Sequence, residues 1–270
     1  GFAILASSSV QDAAYLSAVA HLATIKGRVP FVHFYDGFRT SHELHKVNIL
    51  ELDDIKDLVD YDAIKSFRAN ALQIGKPITR GTAQNDDIYF QATDVRNPYY
   101  DSIVDTVVDY MDKINKVTKS DYKPFNYYGS KNATNVIVAM GSVCETIKET
   151  IDDLNKKGYE IGLIEVHLYR PFSVKHLKKV LPKTVKKIAV LDRTKEFGSI
   201  GEPLYLDVVA ALKDEEVEIY GGRYGLSSKN TTPAQIKAVY DFLSSKPHHN
   251  FTIGIKDDVS NLSLKIDESY

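Results

Sequence analysis

Apolar positions near the start of the chain follow a helical rhythm. After the run Ser7-Ser8-Ser9, the residues Val10, Ala14, Ser17, Ala18, His21, Leu22 and Ile25 recur at helical spacing and form one small-residue face. A serine of that run caps the predicted start, and Gly27 suits the end. Pro30-Phe31-Val32-His33-Phe34-Tyr35 then reads as a buried strand, short, aromatic and β-branched, running into Asp36-Gly37. A helix feeding such a strand is half of an α/β unit, and ligands of such sheets sit beyond the strands' carboxyl ends. The loop from Asp36 to Glu43 is therefore the first place where the pattern points to chemistry.

Two short amphipathic segments follow, at 52–59 and 64–72. From 76 to 100 the periodicity fades into polar sequence such as Arg80-Gly81-Thr82-Ala83-Gln84-Asn85. Stretches of about 25 residues without periodicity are long for a loop in a compact domain and are usually functional or packed on a partner. After Pro98, Val104, Val107, Val108, Met111, Ile114 and Val117 predict a helix ending near Lys119. The polar and aromatic stretch 120–132 takes the expected boundary, giving domains 1–119 and 120–270. Strands predicted at 135–140, 160–166, 186–191 and 216–220 alternate with helices, the last opened by Thr232-Pro233, before a strand at 251–254. That alternation predicts a mostly parallel, right-handed α/β sheet flanked by helices.

Composition narrows the function classes. With 34 basic and 36 acidic residues the formal charge is −2, which argues against nucleic acid or anionic membrane as a partner through a broad charged surface. Cys144 is the only cysteine among 270 residues. An intrachain disulfide is impossible, and no cluster needing several thiolates is held by this chain alone. No apolar run approaches the ~18–20 residues of a membrane helix. The chain opens on Gly1-Phe2-Ala3-Ile4-Leu5, without Met or a signal-peptide pattern, and reads as the interior of a longer, cytoplasmic protein.

Most local motifs have ordinary structural readings. In His42-Glu43-Leu44-His45 the histidines are three apart rather than the four that a zinc helix needs, so no metal site is expected. Gly141-Ser142 at a strand-to-helix junction offers helix amides to an anion, but a tight turn with a serine cap is the favoured reading. Gly221-Gly222-Arg223-Tyr224-Gly225 is read as backbone turning, Cys144 as a buried helix residue, and His248-His249 as a solvated turn. Asp192-Arg193-Thr194-Lys195-Glu196 follows a strand and suggests a salt-bridged interface or a ligand contact. From spacing alone the chain is a two-domain α/β protein with polar loops at its sheet ends.

Several longer segments resemble one family, the single-chain pyruvate:ferredoxin (flavodoxin) oxidoreductases, which use thiamine diphosphate. They include Gly1 to Gln11, Asp36 to Glu43, Arg80 to Gln91, Val138 to Thr146, Leu168 to Phe172, Val190 to Tyr205, Gly222 to Ser228 and Phe251 to Val259. The resemblance spans almost the whole chain in order. His45, Phe197 and Asp86 depart from it, standing where Gln, Pro and Pro are usual.

The resemblance implies that residues 1–119 are the later part of the domain receiving the cofactor's pyrimidine, and that 120–270 are transketolase C-terminal-like. It implies an enzyme joining pyruvate and coenzyme A to give acetyl-CoA and CO2, with electrons passing through [4Fe-4S] clusters to ferredoxin or flavodoxin. The resemblance places the cofactor's diphosphate and Mg2+ site and the cluster cysteines in later domains of a homodimeric parent protein, and the pyrimidine-activating Glu upstream of Gly1. No catalytic residue carries over to a matching position here, and no cofactor is expected to bind this chain tightly. Asp36, Arg39, Thr40, His42 and Glu43 are the candidate residues beside the active centre, with a loop that buttresses an interface as the competing reading. Arg193, Lys195, Glu196 and Arg223 are expected at interdomain contacts. A different class of protein, a non-catalytic domain pair of the same fold in a sulfite reductase subunit, is the alternative.

Overall fold

The computed structural model describes residues 1–38, 40–77 and 83–270. The described residues build two sheets. In the smaller, β1 (Ala3–Ala6) lies between β2 (Phe31–Phe34), parallel to it, and the antiparallel β6 (Leu168–Arg170). Helix α1 (Val10–Gly27) joins β1 to β2. Its start is a reciprocal capping box, in which Ser9 Oγ accepts from the Asp12 amide and the Asp12 carboxylate accepts from the Ser9 amide. Helix α5 (Asn97–Thr118) has Pro98 in its first turn, where the missing amide hydrogen costs nothing. It buries Ile103, Val107, Tyr110, Met111 and Ile114 against Leu16, Val19, Leu22 and Ala23 of α1.

The larger sheet has the order β3-β5-β4-β7-β8-β9. Strands β4 (Asn135–Ala139), β5 (Ile161–Val166), β7 (Lys187–Asp192), β8 (Glu218–Arg223) and β9 (Phe251–Thr252) are parallel, and β3 (Phe125–Gly129) is an antiparallel edge. Helices α6 (Val143–Lys156) and α9 (Pro233–Leu243) contribute to one apolar core, and α7 (Val174–Val180) and α8 (Pro203–Ala211) to the other. Every residue of β4 and β5 is consequently buried, which explains their near-continuous apolar runs.

Three sequence readings change. The 120–132 stretch contains edge strand β3, because Phe125 and Tyr127 pair with β5. Residues 168–170 form a strand that crosses to the smaller sheet, so the two sheets share one continuous piece of chain. The turn read over 221–225 is confined to its end, because Gly221, Gly222 and Arg223 lie within β8 while Gly225 has a left-handed backbone. A Cβ at Gly222 would stand 2.2 Å from the Phe251 ring, so glycine permits close packing there.

Helices α2 (Leu52–Lys56), α3 (Tyr61–Ala69) and α4 (Tyr89–Asp94) occupy the long connection before α5. No described residue from Pro30 to Ser102 is buried.

Candidate functional site

The loop after β2 reaches the carboxyl end of the larger sheet, and Asp36 makes the junction. Its carboxylate accepts from the Ser142 amide at 3.2 Å, from Ser142 Oγ at 2.5 Å and from Arg193 Nη1 at 2.5 Å. Arg193 is fixed from its other side by Nε, which donates to the Gly225 carbonyl at 2.9 Å. Ser142 precedes α6 without capping it through its own side chain. Asp36 therefore supplies an anion to the first turn of α6 across the two sheets, where the helix dipole favours negative charge. Gly141 makes room for it, since a Cβ there would lie 2.3 Å from Asp36 Oδ1.

This geometry revises the reading of Gly141-Ser142 as a tight turn closed by a serine cap. An anion does meet the Ser142 amide, and it is the chain's own Asp36 carboxylate. Arg193 spans the two sheets as expected. Lys195, Glu196 and Arg223 do not, because all three converge on the buried Glu202 within the second half. Lys195 Nζ and Arg223 Nη1 lie 3.4 and 3.3 Å from Glu202 Oε1, and the Glu196 amide donates to Oε2 at 2.7 Å.

Two small cavities flank Asp36. One of about 240 Å³ is lined by Thr40, Glu43, Thr146, Arg193, Lys229 and Asn230, among others. The other, of about 320 Å³, lies at the start of α1, with Ser8, Val10, Tyr35, Thr40 and Glu43 in its walls. Both also touch Asp36 and Ser142. The candidate residues thus separate. Asp36 is spent on the junction, Thr40 and Glu43 line the cavities, and His42 turns back to donate from Nδ1 to the Phe38 carbonyl at 2.5 Å. Arg39 lies outside the described residues. Residues 40–42 form a single 3-10 turn and Glu43 pairs with His45 at 3.0 Å, so the segment is no zinc helix.

A second junction joins the two halves through the buried groups Tyr122 and His167, and the sequence reading missed it. Tyr122 donates to Asp12 Oδ1 at 3.0 Å, and His167 Nδ1 donates to the Ala6 carbonyl at 3.1 Å. Lys148 Nζ lies 3.0 Å from Glu165 Oε2. The Lys148 ammonium loses stability by burial, but the carboxylates of Glu165 and Glu145 outweigh that and raise its pKa. Glu165 and His167 interrupt an otherwise apolar strand and its extension, and that interruption was the available signal. Cys144 sits beside this network, fully buried, with its thiol pKa pushed up by desolvation. It is an unreactive helix residue.

Asp12, Glu165 and His167 bring three donor atoms within 4.8 Å of one another. They do not fit the Mg2+ and diphosphate of the implied cofactor. The Lys148 ammonium already neutralises Glu165, and Asp12 is committed to Tyr122 and to the Ser8 and Ser9 amides.

His33 Nε2 and the Ser7 hydroxyl are hydrogen-bonded at 2.7 Å, and burial and nearby His21 lower the His33 pKa. His249 is no free surface turn either. It stacks on Tyr205 at 4.3 Å, takes the Gly221 amide on Nδ1 and donates from Nε2 to the Ile200 carbonyl.

The described residues thus join a small mixed sheet to a larger, mostly parallel one. A solved 2-oxoglutarate:ferredoxin oxidoreductase from Magnetococcus marinus, with 2-oxoglutarate, coenzyme A and succinyl-CoA bound, has this fold. It matches 89% of the chain and 42% of its own, with a TM-score of 0.50 and 16% identity. Residues 1–112 match the family described as "Pyruvate flavodoxin/ferredoxin oxidoreductase, thiamine diP-bdg". Residues 133–236 match "Pyruvate:ferredoxin oxidoreductase core domain II". The chain belongs to the pyruvate:ferredoxin (flavodoxin) oxidoreductase family.

Among its relatives, the pyruvate:ferredoxin oxidoreductase of Moorella thermoacetica is 53% identical over 99% of this chain. The pyruvate-flavodoxin oxidoreductase of Enterobacter agglomerans is 52% identical over the same share. The chain spans 23% of the length of each.

Proposed function

We propose that this chain is the joined pair of core domains, 1–119 and 120–270, of a cytoplasmic, homodimeric pyruvate:ferredoxin (flavodoxin) oxidoreductase. The full-length enzyme oxidatively decarboxylates pyruvate with coenzyme A, yielding acetyl-CoA and CO2 and delivering electrons to ferredoxin or flavodoxin. Thiamine diphosphate would meet this chain through the domain that residues 1–112 match, while its diphosphate with Mg2+ and the [4Fe-4S] clusters would be held by other domains, since a cluster needs several thiolates and Cys144 is the only cysteine here.

The observation that carries the reading is an identity of 52–53% over 99% of the chain, which includes both halves. This chain's contribution is positional. Asp36 holds the 36–43 loop on the second sheet, which sets Thr40 and Glu43 at the cavities beside the active centre; Arg39 and His42 belong to the same loop. Positioning of this kind controls rate because reacting groups tolerate little displacement.

The test is pyruvate- and coenzyme A-dependent reduction of ferredoxin by the full-length protein. Reduction that needs both substrates supports the enzyme. Sulfite-dependent chemistry without pyruvate oxidation would instead place the pair as an architectural module.

A further inference from the structure

In the larger sheet β4 and β7 are parallel neighbours, yet the chain leaves them toward opposite faces. From β4 it enters α6 on one face, and from β7 it enters α8 on the other. The two loops therefore part at the strands' carboxyl ends, which is where open α/β sheets take their ligands. Ser142 stands on one of these loops and Arg193 on the other, and the Asp36 carboxylate of the first half lies between them. Both its oxygens are held. Oδ1 accepts the Ser142 amide, and Oδ2 accepts the Ser142 hydroxyl and Arg193 Nη1. Charge-assisted donors on both oxygens make a seat for a carboxylate. The seat keeps its shape without Asp36, because the Gly225 carbonyl pins Arg193 and the Glu145 amide bonds the Ser142 carbonyl. A cavity of about 240 Å³ adjoins it, where Arg193 and Lys229 face Asp36 and Glu43, two charges of each sign. Without the Asp36 carboxylate one positive charge is left over, which suits a monocarboxylate.

We propose that the crevice between β4 and β7 is a binding site for small monocarboxylates, and that Asp36 fills it from within the chain as an internal ligand. The tether gives Asp36 an effective concentration of about millimolar or more. A free carboxylate therefore takes the seat when the Asp36 side chain is absent or its loop has lifted. The 36–43 loop is held as a ligand is held, by groups that belong wholly to the second half.

The test follows hydrogen exchange of the amides at 142–146 in the full-length protein. It uses no enzyme activity, so its failure leaves the proposed function untouched. Asp36→Gly should speed their exchange. Sodium formate at about 0.2 M should then slow it at least tenfold and in a saturable way, whereas sodium chloride of equal ionic strength should not. Acetate should act as formate does. The wild type should respond to neither salt, and Asp36→Gly combined with Arg193→Met should lose the formate response. If Asp36→Gly folds poorly, its refolding yield in formate against chloride reads the same site. Equal effects of formate and chloride on Asp36→Gly would overturn the proposal. So would a formate response that survives Arg193→Met.

Discussion

Asp36 caps a helix that belongs to the other sheet. Its carboxylate takes both the amide and the hydroxyl of Ser142, 106 residues away, at 3.2 and 2.5 Å. With its side chain only 8% exposed, it is the best-shielded acid on the loop that carries the candidate residues. Each contact is charge-assisted, and such bonds are about twice as strong as neutral ones.

Asp36→Ala should therefore destabilise the chain by about 2–3 kcal/mol in urea denaturation. Arg193→Ala should cost less, because that side chain is 26% exposed. A double-mutant cycle should give a coupling of about 1 kcal/mol or more. Additive effects would remove Arg193 from the junction.

The Lys148–Glu165 pair behaves differently from a surface ion pair because Glu165 is buried. Lys148→Met strands a buried carboxylate and should cost roughly 3 kcal/mol, whereas Lys148→Met with Glu165→Leu should recover most of it. A double variant no more stable than Lys148→Met would show that the pair is retained for its packing.

Gly222→Ala should cost roughly 2–4 kcal/mol, because its methyl meets the buried Phe251 ring. Combining it with Phe251→Leu should restore part of that loss. A silent Gly222→Ala would mean that β8 and β9 are not packed as described.

Asp192 gives the stability a pH slope. Burial is the main cause that pushes its carboxyl up to about 6, opposed by the amides of Leu204 and Tyr205. Below the unfolded value of 3.8 both states are protonated and folding carries no penalty from this group. As pH rises from about 4 to 6 the unfolded chain ionises first, so stability falls by roughly 2–3 kcal/mol. Asp192→Asn should flatten that fall in melts taken at several pH values. An unchanged slope would assign the pH dependence to another group.

The α/β class, most helices and most strands of the second sheet were legible because periodicity and turn residues are local signals. Strands β1 and β6 were not, since neither opens on the proline and aromatic run that marked the four-residue β2. Their pairing also depends on residues more than 160 positions apart. The Asp36 loop was identified from its place after a strand, but its partner Ser142 was not. A helix amide met by a carboxylate from another sheet leaves no spacing pattern. Glu165 and His167 were overlooked although polar residues in an apolar run are a signal in themselves.

The most direct measurement is steady-state ferredoxin reduction by the full-length protein, wild type against Asp36→Asn, with pyruvate and coenzyme A. The wild type should reduce ferredoxin only when both substrates are present. Asp36→Asn should lower turnover at least tenfold, because an amide cannot satisfy Ser142 and Arg193 together as the carboxylate does. Wild-type turnover that needs neither substrate, or an Asp36→Asn enzyme with unchanged kinetics, would contradict the account.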